Sequence, residues 1–273
     1  MLTANTNFAA TMGRLQLAET NSKIESTLQK LSSGKSINSA KDNSAGLAIA
    51  SRFSSQIRGY NQGIKNTNDA ISMAQTAEGA MKEISTNVQR IRELAVQSAN
   101  ASNSSVDRSA IQTEITQLQA EIVRSTSTQF NGKKVIGADA TSFAYQVGPN
   151  AGDTVKMNTK NVASIGGYAG VATTGTASTV AGASALITQA DTFLASINTQ
   201  RASLGAYQNR FDSIIRNAEN ISANLEASRS RIEDADMAKE TAKLTKYQIL
   251  QQAGASILSQ ANQNPQMILS LLR

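Results

Sequence analysis

The sequence has no cysteine and no histidine. Those absences remove thiol nucleophiles, every catalytic triad with an imidazole base and every zinc site built on nitrogen or sulfur ligands. Tryptophan is missing too, and aromatic residues make up only 4% of the chain. Large compact interiors lean on aromatic rings, each of which buries much area. Here Ile, Leu, Val and Ala must form the interior, which suits thin seams between helices. Proline is nearly absent, Pro149 and Pro265 being the two, and long proline-free stretches leave room for long helices. No run approaches the ~18 apolar residues of a membrane span. The segment "MLTANTNFAATMGRLQ" lacks the basic-then-apolar pattern of a cleavable leader. Net charge is +6, but the basic residues are scattered and the one adjacent pair is Lys133-Lys134. A nucleic-acid surface gathers them on one face. Neither nucleic-acid binding nor membrane insertion is therefore expected, and no set of residues suggests a catalytic site, a cofactor or a metal.

What is present is periodicity. From Phe53 apolar or small residues recur at Ile57, Tyr60, Ile64, Thr67, Ile71 and Ala74, then at Ala77, Met81, Ile84, Val88, Ile91 and Ala95. The steps alternate four and three with one slip, the pattern of a coiled-coil-like seam. It predicts a helix over 45–98, about 80 Å long at ~1.5 Å per residue. Such a helix cannot bury its stripe alone. Turn-forming residues in "ANASNSSVDRS" (99–109) end it, and a second helix carries Ile111, Ile115, Leu118 and Ile122. Gly132 and Gly137 mark turns. "SFAYQVG" and "DTVKMNT" read as strands around the turn "PNAG". The Gly-, Ala-, Ser- and Thr-rich stretch 164–185 has no period and reads as a loop. Its "SIGGYAG" lacks the spacing of a phosphate-binding loop.

Helix is expected again from about Ser184, with a seam at Ile214, Ala218, Ile221, Leu225 and Ile232. After "EDAD" a last helix carries Leu250, Gly254, Ile257 and Ala261, and Pro265 is expected to kink or end it. The acids Glu233, Asp234, Asp236 and Glu240 have no calcium-loop spacing and read instead as a hinge with a helix N-cap. At the other end a short helix carries Ile24, Leu28 and Leu31 before Ser32, Ser33 and Gly34 break it. The two ends thus mirror each other and are expected to pair. "QMILSLLR" crowds Met267, Ile268, Leu269, Leu271 and Leu272 together. That apolar cluster calls for a covering surface, expected to come mostly from other copies of the chain. The fold class expected is mainly α, a long coiled-coil-like bundle of paired N- and C-terminal helices with a small β-hairpin region in the middle.

Several long stretches resemble bacterial flagellin. They are "LSSGKSINSAKDNSAGLAIASRF" (31–53), "AISMAQTAEGAMKEISTNVQRIRELAVQSAN" (70–100) and "QFNGKKV" (129–135), then "LGAYQNRFDSIIRNAENISANLEASRSRIEDADMAKE" (204–240) and "QANQNPQMILSLLR" (260–273). Lys35 and the first residues "MLTAN" depart from the family pattern, and the middle has room for almost no outer domain.

The resemblance implies a non-enzymatic subunit of the flagellar filament, in a short form without large outer domains. It implies a D0 region over 1–40 and 237–273, a D1 rod over 41–163 and 184–236, and a variable loop over 164–183. Ile24, Leu28, Leu31, Leu250 and Ile257 would join the C-terminal cluster in filament-core assembly. Implied partners are copies of the same chain, an export chaperone on the C-terminal helix, and the filament cap and hook-junction proteins. An animal Toll-like receptor 5 would recognise Gln89, Arg90, Leu94 and Glu114. Export through the flagellar type III apparatus to the extracellular flagellum is implied as well. The alternative is a hook–filament junction protein or another type III secreted axial or adhesive protein.

Overall fold

The structure, a computed structural model, describes residues 7–271, with side chains described through residue 263. Five α-helices carry most of the chain: α1 (Phe8–Ser33), α2 (Ser44–Ala99), α3 (Ser105–Ser125), α4 (Val180–Glu233) and α5 (Met237–Leu271). Four short strands lie between α3 and α4: β1 (Gln129–Phe130), β2 (Lys133–Lys134), β3 (Ser142–Gln146) and β4 (Thr154–Asn158). The chain forms two compact units. One comprises Met1–Ser55 with Ala223–Arg273, the other Gln56–Ser222. Both divisions, at 55/56 and 222/223, fall inside helices, the first in α2 and the second in α4.

The central unit holds the hydrophobic core. Every position of the α2 seam from Ile57 to Ala95 is at least partly buried, and Met81, Ile84, Val88, Ile91 and Ala95 are fully so. They meet Ile111, Ile115 and Ile122 of α3 and Leu186, Ala190, Phe193, Ile197, Leu204 and Phe211 of α4. The period of α2 therefore points one stripe at two partner helices at once. The turn between α2 and α3 is held by Arg108, whose guanidinium donates to the carbonyls of Ser98, Asn100 and Asn103. A capping box then starts α3 at Ser105, inside the turn-forming stretch 99–109. The Ser104 hydroxyl accepts from the Asp107 N–H, and the Asp107 carboxylate accepts from the Ser104 N–H.

The β region is two hairpins rather than one. The first, β1–β2, turns through Asn131 (φ 47°) and Gly132 (φ 76°), the positive-φ pair that a two-residue hairpin turn requires. The second is antiparallel with Ser142 opposite Asn158 and Gln146 opposite Thr154. Val155 and Met157 point inward from β4. The end of this hairpin sits directly on α2, where Gly59 and Gly63 remove the side chains that would block it. A Cβ on Gly59 would lie 2.5 Å from Pro149 Cβ, and one on Gly63 would overlap the Val147 carbonyl. Asn66 then donates from Nδ2 to the Gln146 carbonyl at 2.9 Å. Tyr145 of β3 lies edge-on to Phe211, with ring centroids 5.9 Å apart, and its hydroxyl donates to the Met73 sulfur.

The stretch expected as a loop over 164–183 is instead a folded strap. It contains a turn of π-helix over Ala169–Thr173, and α4 already starts at Val180. Tyr168, Val171, Ala172 and Ala177 are buried, Tyr168 edge-on to Phe193. The Gln119 amide donates to the carbonyls of Val171 and Gly175, and Gln112 Oε1 accepts from the Ala177 N–H. Small residues without period conceal this, because the bonds that order them come from α3.

One expectation about composition needs correcting. An 18-residue window of α4 reaches a mean hydropathy of 1.2, enough by length and composition to cross a membrane. Its Leu186, Ala190, Phe193 and Ile197 are fully buried in the core, so in this fold the window serves a bundle helix.

Candidate functional site

The terminal unit is built on the antiparallel pair α1 and α5. Asn7 caps α1, its Oδ1 accepting from the Ala10 N–H, and Gly34 ends the helix in the left-handed region at φ 70°. Asp236 caps α5 by accepting from the N–H groups of Ala238 and Lys239. Contacts step along both helices together. Leu258 Cδ1 lies 3.4 Å from where a side chain on Gly13 would begin, and Leu17 Cδ1 lies 3.7 Å from the same point on Gly254. Farther along, Gln251 donates from Nε2 to Asn21 Oδ1 at 2.7 Å. Among the described residues the buried side chains of α1 and α5 are Ala10, Thr20, Thr27, Glu240 and Ala261, a mostly small and polar set, with Ile37 and Ala50 buried elsewhere in the unit. Thr20 and Thr27 satisfy their hydroxyls on the carbonyls four residues back. Glu240 is held by Lys243 at 2.6 Å.

Pro265 does not end α5, which continues to Leu271. A proline there leaves the Ala261 carbonyl without its N–H partner. Asn7 Nδ2 donates to that carbonyl at 2.7 Å and replaces the missing bond. The acidic stretch at the helix junction is likewise satisfied from within. Glu233 pairs with Lys35 at 2.5 Å, Asp234 accepts from the Ser230 hydroxyl, and the Ser36 N–H donates to the Glu233 carbonyl. Lys35, the departure from the family pattern, thus has a structural partner. Among the described residues no three acids come together to hold a metal ion.

The expected assembly residues divide. Ile24 and Leu31 are half-buried, whereas Leu28, Leu250 and Ile257 are exposed, Ile257 at 61%. The expected stripe Leu250–Gly254–Ile257–Ala261 is therefore split. Gly254 meets α1 and Ala261 is buried, while Leu250 and Ile257 are exposed. The side chains of Met267, Ile268, Leu269 and Leu271, and all of Leu272, lie outside the described residues. In the terminal unit the sequence does not single out five further exposed apolar side chains, Phe8 (75%), Met12, Leu15 (62%), Met237 and Ile249 (61%). Phe8, Met12 and Leu15 are spaced by four and three in "NFAATMGRL", a helical stripe that was there to be read.

In the central unit, α2 carries a second cluster. Arg90 donates from Nε to Glu114 Oε1 of α3 at 3.0 Å and from Nη1 to Glu93 Oε2 at 3.2 Å. Hydrogen bonding to Glu114 and then Glu93 raises the Arg90 pKa further above its ordinary range. Arg92 reaches the other way, from Nε to Asp191 Oδ1 of α4 at 2.6 Å. Gln89, Arg90 and Glu114 are exposed. Leu94 corrects the expectation. It is only 3% exposed, packed in the core beside Ala95, and presents no surface to a partner. Position 94 lies about one turn after Ile91 and next to Ala95, which places it on the inward side of the helix.

Paired terminal helices with exposed apolar side chains and a central unit of long packed helices define a helical protein of structural type. Family models agree on which kind. The bacterial flagellin N-terminal helical region matches residues 4–141 and the C-terminal helical region residues 187–272. A flagellin of Xenorhabdus nematophila is 43% identical over 308 residues, 98% of each chain. One of Halalkalibacterium halodurans is 42% identical over 91% of this chain and 92% of its own. The crystal structure of Bacillus cereus flagellin is similar at 30% identity and a TM-score of 0.51, covering 59% of this chain and 94% of that one. The chain belongs to the bacterial flagellin family. It is a structural subunit of the flagellar filament, not an enzyme, and the filament its family forms is extracellular.

Proposed function

We propose that α1 and α5 form the filament core, the D0 region, and that the central unit forms the D1 tube around it. The observation that carries this reading is the set of exposed apolar side chains on the terminal pair: Phe8, Met12 and Leu15 on α1, Ile249, Leu250 and Ile257 on α5. Each such side chain gains roughly 1.5–3 kcal/mol when fully covered, and copies of the same chain are the surface that covers them. The subunit travels through the flagellar type III route as an unfolded chain, a passage suited to a sequence without thiols to crosslink. In the cell α5 is shielded by an export chaperone, and the growing polymer meets the cap and hook-junction proteins. Outside, the exposed ridge of Gln89, Arg90 and Glu114 is the surface offered to an animal Toll-like receptor 5, with Leu94 supporting it from beneath.

The test is electron microscopy of the purified chain under polymerising conditions. Wild type forms long tubes. The double variant Phe8→Asp, Leu15→Asp retains the helical content and thermal transition of the central unit but does not elongate. A variant that polymerises like wild type removes the terminal pair from the core, and a wild type that stops at short oligomers favours a junction protein.

A further inference from the structure

The sequence contains one Asn-Gly step, Asn131-Gly132, and it forms the whole turn between β1 and β2. Both residues are exposed and both have positive φ. Nothing lies within 4 Å of the point where a Gly132 side chain would begin. Among the described residues no hydrogen bond holds the Asn131 amide. The four Asn-Ser steps, next in intrinsic reactivity, differ in this respect. Asn21 accepts from Gln251 at 2.7 Å, and Asn43 accepts from the Gly46 N–H at 2.9 Å. Asn38 donates to the Lys35 carbonyl at 3.3 Å, and Asn103 donates to that of Gln97 at 2.6 Å. The hairpin around Asn131 has only two paired residues in each strand, and so short a ladder opens readily.

We propose that Asn131 is a site of spontaneous deamidation through a succinimide formed with Gly132. Hydroxide removes the Gly132 amide proton, and that nitrogen attacks Asn131 Cγ. The N–Cγ bond forms, the Cγ–Nδ2 bond breaks, and ammonia leaves with a proton from water. Water then opens the five-membered ring at either carbonyl, leaving aspartate or isoaspartate at position 131. No oxidant or cofactor is consumed. Glycine favours the step because it has no Cβ to obstruct the attacking nitrogen. The product places a carboxylate beside Lys133 and Lys134. Isoaspartate also adds a main-chain atom to a two-residue turn, so the pairs Phe130–Lys133 and Gln129–Lys134 lose their register. Lys133, whose ammonium lies 5.9 Å from the Phe143 ring centroid, moves with them. Subunits would carry a mark of their age at this hairpin.

The test holds the purified full chain at mildly alkaline pH in heavy-oxygen water and follows its peptides by mass spectrometry, with isoaspartate methyltransferase labelling in parallel. The peptide containing Asn131 gains the deamidation mass and one heavy oxygen about tenfold faster than any Asn-Ser peptide, equivalent to ~1.4 kcal/mol in barrier. Asn131→Gln keeps an amide but needs a larger ring, and loses the signal. Equal rates at all five steps overturn the proposal. So does an unchanged Asn131 once a free peptide of residues 127–136 has fully converted.

Discussion

At the residue scale, two glycines in the same helix should respond in opposite ways to the same substitution. Replacing a helical glycine by alanine normally stabilises by about 0.5–1 kcal/mol, because alanine loses less backbone freedom. Gly79 has nothing within 4 Å of a new Cβ, so Gly79→Ala should show that gain in urea unfolding. Gly63 faces the Val147 carbonyl, which is backbone and cannot step aside. Gly63→Ala should instead lose about 1–3 kcal/mol, the usual range for overpacking. A stabilised Gly63→Ala would mean that the hairpin does not dock on α2. Tyr145 makes a separate prediction about pH. Burial, and then the nearby Asp69 carboxylate, push its hydroxyl from 10.0 up to about 12. Its contribution to stability is complete below pH 10, where the phenol is neutral folded or unfolded. Above that the unfolded chain ionises first, so stability falls as pH rises and the contribution is lost through about pH 12. Phenolate absorbance should show Tyr145 titrating late, and Tyr145→Phe should flatten the alkaline part of the stability curve. Neither effect is legible in the sequence. A glycine in a helix looks like a weakness until the element pressed against it is known.

At the element scale the sequence was most informative where one period ran longest. The α2 seam predicts a helix over 45–98, and the helix spans Ser44–Ala99. The strands of the second hairpin were likewise visible as "SFAYQVG" and "DTVKMNT". The strap over 164–183 was not, because its order comes from Gln119, Gln112 and buried small residues rather than from local pattern. Pro265 misled for a similar reason, its lost hydrogen bond being replaced by Asn7, far away in sequence. The α1–α5 pair was expected from the mirrored ends, but its seam is thin. Ala10, Thr20, Thr27 and Ala261 bury little apolar area compared with Ile84, Phe193 or Phe211 of the central unit. Isolated helices in water depend on such burial for most of their stability. Amide exchange within 8–33 and 237–263 should therefore be fast in the dilute subunit and slow in the polymer, while 81–95 stays protected in both. Equal protection of the terminal helices in the two states would make them an ordinary intramolecular pair and remove the need for neighbours.

At the scale of the whole molecule, the proposed assembly rests on what the terminal unit leaves uncovered. The central unit closes its own core with residues contributed by α2, α3, α4, the hairpins and the strap. The terminal unit leaves Phe8, Leu15, Ile249 and Ile257 uncovered. The sequence disclosed the family and the polymer. It did not disclose which apolar residues face outward, because exposure depends on which neighbour a helix face meets. The same division sets an order of events in time. The central unit is one continuous stretch, Gln56–Ser222, whereas the terminal unit joins the two ends of the chain. Asn7 bonds to Ala261 across a separation of 254 residues. Loop closure grows costlier with length, and contacts distant in sequence form slowly. A subunit emerging from the ribosome has no partner for α1 until α5 has been made. Under the export route proposed above, α1 and α5 would likewise pair only once both are free. The pairing of α1 with α5 across the length of the central unit is thus a clock, keeping the exposed faces of the two helices apart until both are present.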